Sequence, residues 1–487
     1  MRTRLLITGL LTAFLHLALP ALAADTPVRP NFLFIMTDDQ SWAFTSKAGY
    51  GFVKTPNFDR IANEGIYFAR AYAAAPTCTA SRSALLTGTP VWKTESGALL
   101  QGQWPEQLKT FPYMLKDAGY FTGYTGKGWG PGKFNYAADP IAKAYNDVFK
   151  KDYKDKPEWT VWDMPANLNV FLDAKPADAP FFFWVGSFEP HRPYVKPDTR
   201  RFDGKDPKDF MPGFFPDTPE MRNSLSSYLI ETERFDKDLG DIVNILKKRG
   251  LLENTVIVVT SDNGADLPRA KPQIYEYGAR VPLAIRWGAG IRQPGRDVTD
   301  TVSLLDIAPT FLELARVAIP PAMRGHSLAD VFSTPQFKER TPAFLGMDRH
   351  SGWRKKEQTY PVRAVYTRQY AYIRNYFPDR WPAGDPPVFA EATQEWLRDA
   401  KGQPVEPWYS LATAKRPREE LYDLAKDPNQ FHNVAEDKEY KSIRKELSKR
   451  LDKELKESGD PVHLTGKDYF AKFITPDMIQ QYNWPPQ

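Results

Sequence analysis

The chain has 487 residues, of which 42% are hydrophobic and 26% are charged. This composition is typical of folded proteins and excludes wholesale disorder, and the length suits a large α/β domain with a smaller second domain. The formal net charge of +5 is spread over the whole chain, which argues against a nucleic-acid partner because such proteins need a dense basic patch.

The N-terminal segment has the pattern of an export signal. Arg2 and Arg4 precede an apolar run over 5–19, and small residues follow that run. The run is shorter than the roughly 20 residues that cross a bilayer. We therefore predict a signal peptide over 1–23, export to the periplasm or the medium, and no membrane span. The single cysteine, Cys78, excludes an intramolecular disulfide.

Apolar strands alternate with helices through most of the chain. We predict strands over 31–36, 120–125, 181–185 and 256–260, and helices over 56–64, 83–86, 111–118 and 221–249. This alternation indicates an α/β fold with a mainly parallel sheet flanked by helices, and a site at the carboxyl ends of the strands. We assign this catalytic domain to 24–340.

The pattern changes beyond about residue 340. The segments 362–366 and 370–375 are predicted to pair as antiparallel strands, because a short turn joins them. The segment 437–457 is rich in Lys and Glu and predicts an exposed helix packed on these strands. We therefore expect a smaller C-terminal α+β domain over 341–487.

Polar side chains follow two of the predicted strands. Asp38 and Asp39 come after the first strand, and Asp262 and Asn263 come after the fourth. Either pair alone is typical of an ordinary turn. If the two strands are neighbours, however, the four side chains supply hard oxygen ligands that suit Ca²⁺ or Mg²⁺.

Cys78 stands just before a short predicted helix. The N-terminus of a helix favours an anion through its dipole and its free N–H groups. Arg82 adds a permanent cation, and Lys127, His191 and Lys271 follow on other loops. Cations together with a metal imply an anionic substrate.

Five segments of the chain resemble the formylglycine-dependent type I sulfatases, and they occur in the same order as in that family. They are NFLFIMTDDQ at 31–40, CTASRSALLTG at 78–88, GK at 126–127, TSDNG at 260–264 and YEYGARVPL at 275–283. The resemblance implies an alkaline-phosphatase-like fold and conversion of Cys78 to formylglycine (3-oxoalanine) by a sulfatase-maturation enzyme. It also implies a Ca²⁺ ion, with Mg²⁺ as the alternative, on Asp38, Asp39, Asp262 and Asn263.

The resemblance further implies the roles of the cations. Arg82 and Lys127 would steady the hydrated aldehyde, while His191 and Lys271 would contact the sulfate, with His191 as the acid for the leaving group. The chain departs from the family at two positions: Ala80 stands where Pro is usual, and Trp129 stands where His is usual. Arg82, Lys127 or another histidine must therefore take the role of this histidine.

The spacing within 187–193, 262–268 and 360–364 is most similar to the heparan N-sulfatases. That similarity implies a sulfated carbohydrate substrate, N-sulfoglucosamine of heparan or heparin oligosaccharides. Candidate sugar contacts outside the sulfate pocket are Trp129, Arg192, Arg269 and His350, with Asp266 beside them. The alternatives are an O-sulfatase on another sulfated sugar, a phosphonate or phosphodiester hydrolase of the same fold, and a glycan-binding pseudoenzyme. The oligomeric state is left open.

Overall fold

The computed structural model describes residues 29–134, 139–150, 161–334, 342–350, 358–384, 396–399, 401–476 and 478. The predicted signal peptide over 1–23 and the predicted domain boundary at 340 both lie outside these residues, and both stay predictions. Within the described ranges, no helix combines the length and the apolar character that a membrane span requires.

The largest element is a nine-stranded sheet. Its strands are β1 Asn31–Thr37, β2 Ile66–Tyr72, β3 Phe121–Gly126, β4 Lys143–Ala144, β5 Phe181–Gly186, β6 Thr255–Ser261, β7 Arg280–Val281, β8 Leu283–Arg286 and β9 Arg296–Ser303. The order is β4-β3-β5-β1-β6-β8-β2-β7, with β9 paired to β2. The half from β4 to β6 is parallel, whereas β8 is antiparallel to both β6 and β2. The predicted α/β fold with a mainly parallel sheet is confirmed.

Helices surround this sheet and continue into the C-terminal part. They are α1 Pro56–Asn63, α2 Cys78–Thr87, α3 Phe111–Asp117, α4 Met164–Ala174, α5 Pro207–Phe210, α6 Pro219–Lys248, α7 Glu276–Ala279, α8 Ile307–Leu314, α9 Ala329–Ser333, α10 Trp408–Thr413, α11 Lys441–Ser458 and α12 Pro461–Thr465. Helix α2 begins five residues before its predicted start, so Cys78 is its first residue.

Strand β1 shows why the sheet is covered on both faces. Successive side chains of a strand point to opposite sides. Phe32 and Phe34 pack in one cluster with residues of α2, α3 and α8, whereas Leu33 and Ile35 pack in another with residues of α1, α4 and α6. A strand buried on both faces needs a continuous apolar run, which is the pattern of β1.

A separate four-stranded antiparallel sheet follows. It is ordered β10 Ala343–Met347, β11 Val362–Tyr366, β12 Tyr370–Asn375 and β13 Glu419–Asp423. The predicted hairpin has the expected bounds, and Val362 pairs with Asn375. Helix α11 buries three leucines spaced four residues apart, Leu447, Leu451 and Leu455, and exposes most of its charged side chains. This second sheet agrees with the predicted α+β character of the C-terminal part.

Candidate active site

The two pairs of predicted metal ligands meet at one edge of the large sheet. Strands β1 and β6 are parallel neighbours in which Thr37 pairs with Ser261, so the residues that follow each strand lie side by side. The backbone N–H of Asp39 donates to Asp262 Oδ1 at 3.1 Å, and Asn263 Nδ2 donates to Asp39 Oδ1 at 2.7 Å. The adjacency expected from the sequence is therefore present.

This cluster has the donor set of a hard cation site. The side chains of Asp38, Asp39, Asp262 and Asn263 are fully buried. Asp38 Oδ1 and Asn263 Oδ1 have no hydrogen-bond partner within the described part of the chain, although buried oxygens normally have one. One ligand atom each from Asp38, Asp39 and His191 lies within 4.8 Å of the others. Unpartnered carboxylate and amide oxygens of this kind fit Ca²⁺ or Mg²⁺.

Each buried carboxylate also faces a cation. Lys127 Nζ pairs with Asp38, Lys271 Nζ donates to Asp39 Oδ1 at 2.7 Å, and Arg82 Nε donates to Asp262 Oδ2 at 2.7 Å. Burial opposes ionisation of Asp38, but Lys127 and then His191 hold its pKa below the usual range. Burial likewise disfavours the Lys271 cation, yet Asp39 keeps its pKa well above the usual value. Three charges of each sign balance, so a bound divalent cation would leave the pocket positive and suited to an anion.

Local backbone geometry sets the position of Lys127. Its N–H donates to the carbonyl of Gly186 at 2.7 Å, where the ends of β3 and β5 lie close together. A Cβ on Gly186 would lie 1.8 Å from the Lys127 carbonyl oxygen, so only glycine fits there. Arg82 Nη1 donates to the carbonyls of Lys127 and Gly128 and holds the same loop from the other side.

Cys78 is the first residue of α2, with 2% of its surface exposed. Burial raises the pKa of its thiol, although Lys127 and Lys271 act in the opposite direction. Thr77 precedes it in an extended conformation, and the Thr77 hydroxyl does not cap the helix; Thr77 Oγ1 lies 2.9 Å from His350 Nδ1. An unmodified Cys78 is therefore a protonated thiol and a weak nucleophile at neutral pH.

The open side of the pocket is formed by His191, Arg192 and Asp266. Their side chains are 28%, 29% and 29% exposed, in contrast to the buried cluster beneath. His191 Nε2 lies 3.7 Å from Asp39 Oδ2, and its Nδ1 is bonded to the Arg192 carbonyl at 2.5 Å. Arg192 Nε lies 3.3 Å from Asp266 Oδ2.

A family model described as sulfatase matches residues 30–317, which is more than half of the chain. The chain belongs to the sulfatase family. A second model, described as the C-terminal part of N-sulphoglucosamine sulphohydrolase, matches residues 270–385. This sulfatase is therefore a hydrolase of sulfate esters or sulfamates.

Individual relatives agree with this family. An ulvan-active sulfatase of Formosa agariphila is 27% identical over 92% of this chain and 78% of its own length. Human N-sulphoglucosamine sulphohydrolase is 26% identical over 88% of this chain and 91% of its own length. A solved structure in complex with its substrate, D-glucosamine-2-N,6-O-disulfate, has a TM-score of 0.66 at 20% identity, and the match covers 89% of this chain and 99% of that one. The predicted alkaline-phosphatase-like fold is thereby confirmed.

Two of the expected sugar contacts have partners inside the protein. The Trp129 side chain packs against Trp104 and Phe134, and it is 6% exposed. Its ring turns towards α2, where its N–H donates to Ser83 Oγ at 2.7 Å. These contacts give Trp129 a packing role in the core, and its predicted sugar contact stays a prediction.

Arg269 is the second of these residues. Its backbone has a positive φ of 57°, and its buried guanidinium donates to the carbonyls of Leu411 and Gln430 and stacks 4.1 Å from the Tyr275 ring centroid. It therefore connects the loop that follows β6 to the C-terminal part of the sulfatase. Its predicted sugar contact stays a prediction.

Two neighbours of the candidate site residues could not be predicted from the sequence. Thr77, which precedes Cys78, contacts His350, and Arg192 stacks on Trp396 at 3.8 Å from its ring centroid. No spacing rule connects Trp396 to Arg192, since 204 positions separate them in the sequence. The nearly buried His350 lies beside the residue before Cys78, and its predicted sugar contact stays a prediction.

Proposed function

We propose that this sulfatase removes the N-linked sulfate of glucosamine in heparan or heparin oligosaccharides. The main support for this substrate is the match of residues 270–385 to the C-terminal model of N-sulphoglucosamine sulphohydrolases. The 26% identity to the human enzyme of that name, spread over most of both chains, supports it. The buried pocket of three cations around a candidate metal site supports binding of a sulfate group.

Asp38, Asp39, Asp262 and Asn263 would hold Ca²⁺, with Mg²⁺ as the alternative, and Cys78 would be matured to formylglycine. When present, the metal supplies charge stabilisation and the matured side chain supplies a nucleophilic oxygen.

The remaining steps belong to residues of this chain. Lys127 and Lys271 both act electrostatically on position 78. Lys127 would stabilise the matured side chain, and Lys271 would bind the sulfate oxygens and stabilise the charge that develops on them. Arg82 orients Asp262 and the Lys127 loop. His191 stands at the open side, where its Nε2 can give a proton to the leaving nitrogen.

Maturation and export follow from the same proposal. A maturation enzyme would act on Cys78 before α2 folds, because the side chain is almost fully buried in the folded protein. The segment 1–23 would direct the chain to the periplasm or the medium. The proposed partners are this enzyme and the sulfated carbohydrate.

Peptide mass spectrometry of protein from its native host tests the maturation. We expect an aldehyde at position 78 in the wild type and none in Cys78→Ala, whose methyl group carries no oxidisable thiol or hydroxyl. Fully active protein with an intact thiol at this position would contradict the proposal.

A panel of defined saccharides tests the substrate. We expect sulfate and free amine to appear in equal amounts from N-sulfoglucosamine at the non-reducing end. 6-O-sulfated N-acetylglucosamine and sulfated galactose should react more slowly. Sulfate release from the O-sulfated sugars alone, without new amine, would contradict the N-sulfatase proposal and favour an O-sulfatase.

A further inference from the structure

The exposed rim of the pocket contains one acid–base pair that the sulfate chemistry does not use. Arg82, Lys127 and Lys271 are each matched to a buried carboxylate of the metal site. Arg192 and Asp266 instead pair with each other, and both are partly exposed. A substrate whose sulfate reaches the buried cations must place its remaining atoms against this rim.

The Arg192 guanidinium is held by packing on two aromatic rings. It lies 3.8 Å from the Trp396 ring centroid and 4.9 Å from that of Tyr194. Trp396 is itself fixed, since its N–H donates to Ser224 Oγ on α6 at 2.6 Å. Stacking of this kind suits the flat guanidinium and not the compact lysine ammonium. The stack therefore fixes the position of the guanidinium, whose Nε lies 3.3 Å from Asp266 Oδ2.

Asp266 lies on the loop that also carries Asp262 and Asn263. The backbone carbonyl of Asp266 accepts a hydrogen bond from the Tyr194 hydroxyl at 3.3 Å. Arg192, the ion-pair partner of Asp266 at 3.3 Å, directly follows His191, whose Nε2 lies 3.7 Å from Asp39 Oδ2. The Asp266 carboxylate therefore lies at the rim of the pocket that contains the proposed sulfate-binding groups.

A carboxylate at the rim of an anion pocket accepts hydrogen bonds and repels further anions. Sugar hydroxyl and amine groups are donors that suit it, whereas an aryl ring offers none. We propose that Asp266, positioned by Arg192, accepts hydrogen bonds from donor groups of the sugar that carries the reacting sulfate. This inference rests on the proposed action on a sulfated sugar and names the residue that distinguishes a sugar from another sulfate ester.

The test compares kcat/KM for a sugar sulfate with kcat/KM for p-nitrophenyl sulfate, which lacks sugar donors. The sugar is the member of the saccharide panel that the matured wild type turns over fastest. In Asp266→Asn we expect the ratio of the two values to fall about tenfold or more, mainly through KM for the sugar. Arg192→Lys should lower the same ratio because the ring stack is lost.

A matched control is available in the Arg201–Glu233 pair, which has a distance of 3.1 Å and side-chain exposures of 21% and 28%. Glu233→Gln makes the same acid-to-amide change away from the pocket and should leave the ratio unchanged. Equal loss on both substrates in Asp266→Asn, or an equal change of ratio in the control, would overturn the inference.

The outcomes also separate this inference from the proposed substrate. If an O-sulfated sugar is the best substrate, the N-sulfatase proposal fails, and the ratio measured on that sugar still decides the role of Asp266. If the wild type prefers p-nitrophenyl sulfate to every sugar sulfate, the rim does not recognise sugar and the inference fails.

Discussion

Two arginines with fully buried side chains, Arg82 beside the large sheet and Arg363 in the small one, differ in how they use their hydrogen bonds. Arg363 Nε donates to Asp460 Oδ2 at 2.7 Å and its Nη2 donates to Asp348 Oδ1 at 3.1 Å. Its Nη1 donates to the carbonyls of Met347 and Val362. Every nitrogen of this guanidinium is therefore bonded inside the protein.

The Arg82 guanidinium, in contrast, uses only part of its hydrogen-bonding capacity. Its Nε and Nη1 are bonded, but its buried Nη2 has no partner among the residues that the structure describes. Asp38 Oδ1 and Asn263 Oδ1 nearby have none either. Buried polar groups without partners are costly, so a cluster of them indicates a place prepared for a ligand. Burial of charge does not distinguish the two regions, and within the described residues the small-sheet cluster also contains one buried oxygen without a partner, Asp348 Oδ2. The two regions differ in the arginine itself: every nitrogen of the Arg363 guanidinium is bonded, whereas the Arg82 Nη2 is not.

The largest expected effect concerns the predicted metal site beside Arg82. Asp262→Asn should lower sulfate release by about 10³-fold, because it weakens the metal site and the hold on Arg82. Added Ca²⁺ should raise the melting temperature of the wild type by mass action and raise that of the variant less. Asp348→Asn, the same change at a buried acid of the small sheet, is the control. Equal calcium shifts in all three proteins would contradict the assignment.

Substitution of the two arginines should separate an effect on stability, at Arg363, from an effect on catalysis, at Arg82. Arg363→Lys should lower the free energy of unfolding by about 3 kcal/mol, since one ammonium cannot serve two buried carboxylates, while kcat per folded molecule is retained. Arg82→Lys should lower kcat about 10²-fold. Denaturant unfolding and steady-state assays measure the two effects. Equal losses of kcat in Arg82→Lys and Arg363→Lys would contradict the proposed difference between the two arginines.

The small-sheet cluster should also make stability depend on pH. Burial raises the pKa of Asp348 to about 7, with Arg363 acting against it and Asp460 and Asp468 in the same direction as burial. Between the ordinary value of 3.8 and about 7 the folded state keeps a proton that the unfolded state has lost, so stability falls as pH rises through this interval.

The variant Asp348→Asn has an amide in place of the carboxyl group, so it has no proton to lose in this pH interval. The wild type should lose up to about 3 kcal/mol more than the variant between about pH 5 and about pH 8. Unfolding curves of both proteins at the two pH values measure this difference. Parallel losses in the two proteins would show that another group is responsible.

The smallest expected effect concerns Trp129. Trp129→Phe removes the hydrogen bond to Ser83 and keeps an aromatic ring in the core, so the free energy of unfolding should fall by about 1 kcal/mol. The relative kcat/KM values for the saccharide panel should not change. A changed substrate preference would restore Trp129 as a sugar contact.

Several elements could be predicted because their signals are local. The apolar run of β1, the apolar spacing of α6 and the hairpin of β11 and β12 depend on neighbouring residues, and the structure agrees with them within a few residues. Strands β2, β8 and β9 were missed. In β9, charged residues interrupt the apolar ones and no continuous run marks a buried strand.

The sequence by itself determined the polar residues that end each strand and the family motifs that connect them. Only the tertiary structure decided that Asp39 and Asp262, 223 positions apart, share a hydrogen bond. Only the tertiary structure likewise decided that Trp129 packs in the core, that Arg269 bonds to distant carbonyls and that Trp396 stacks on Arg192. The physical reason is that strand and helix periodicity depend on near neighbours. The direction and the partners of a long side chain depend on packing and hydrogen-bond satisfaction across the whole fold.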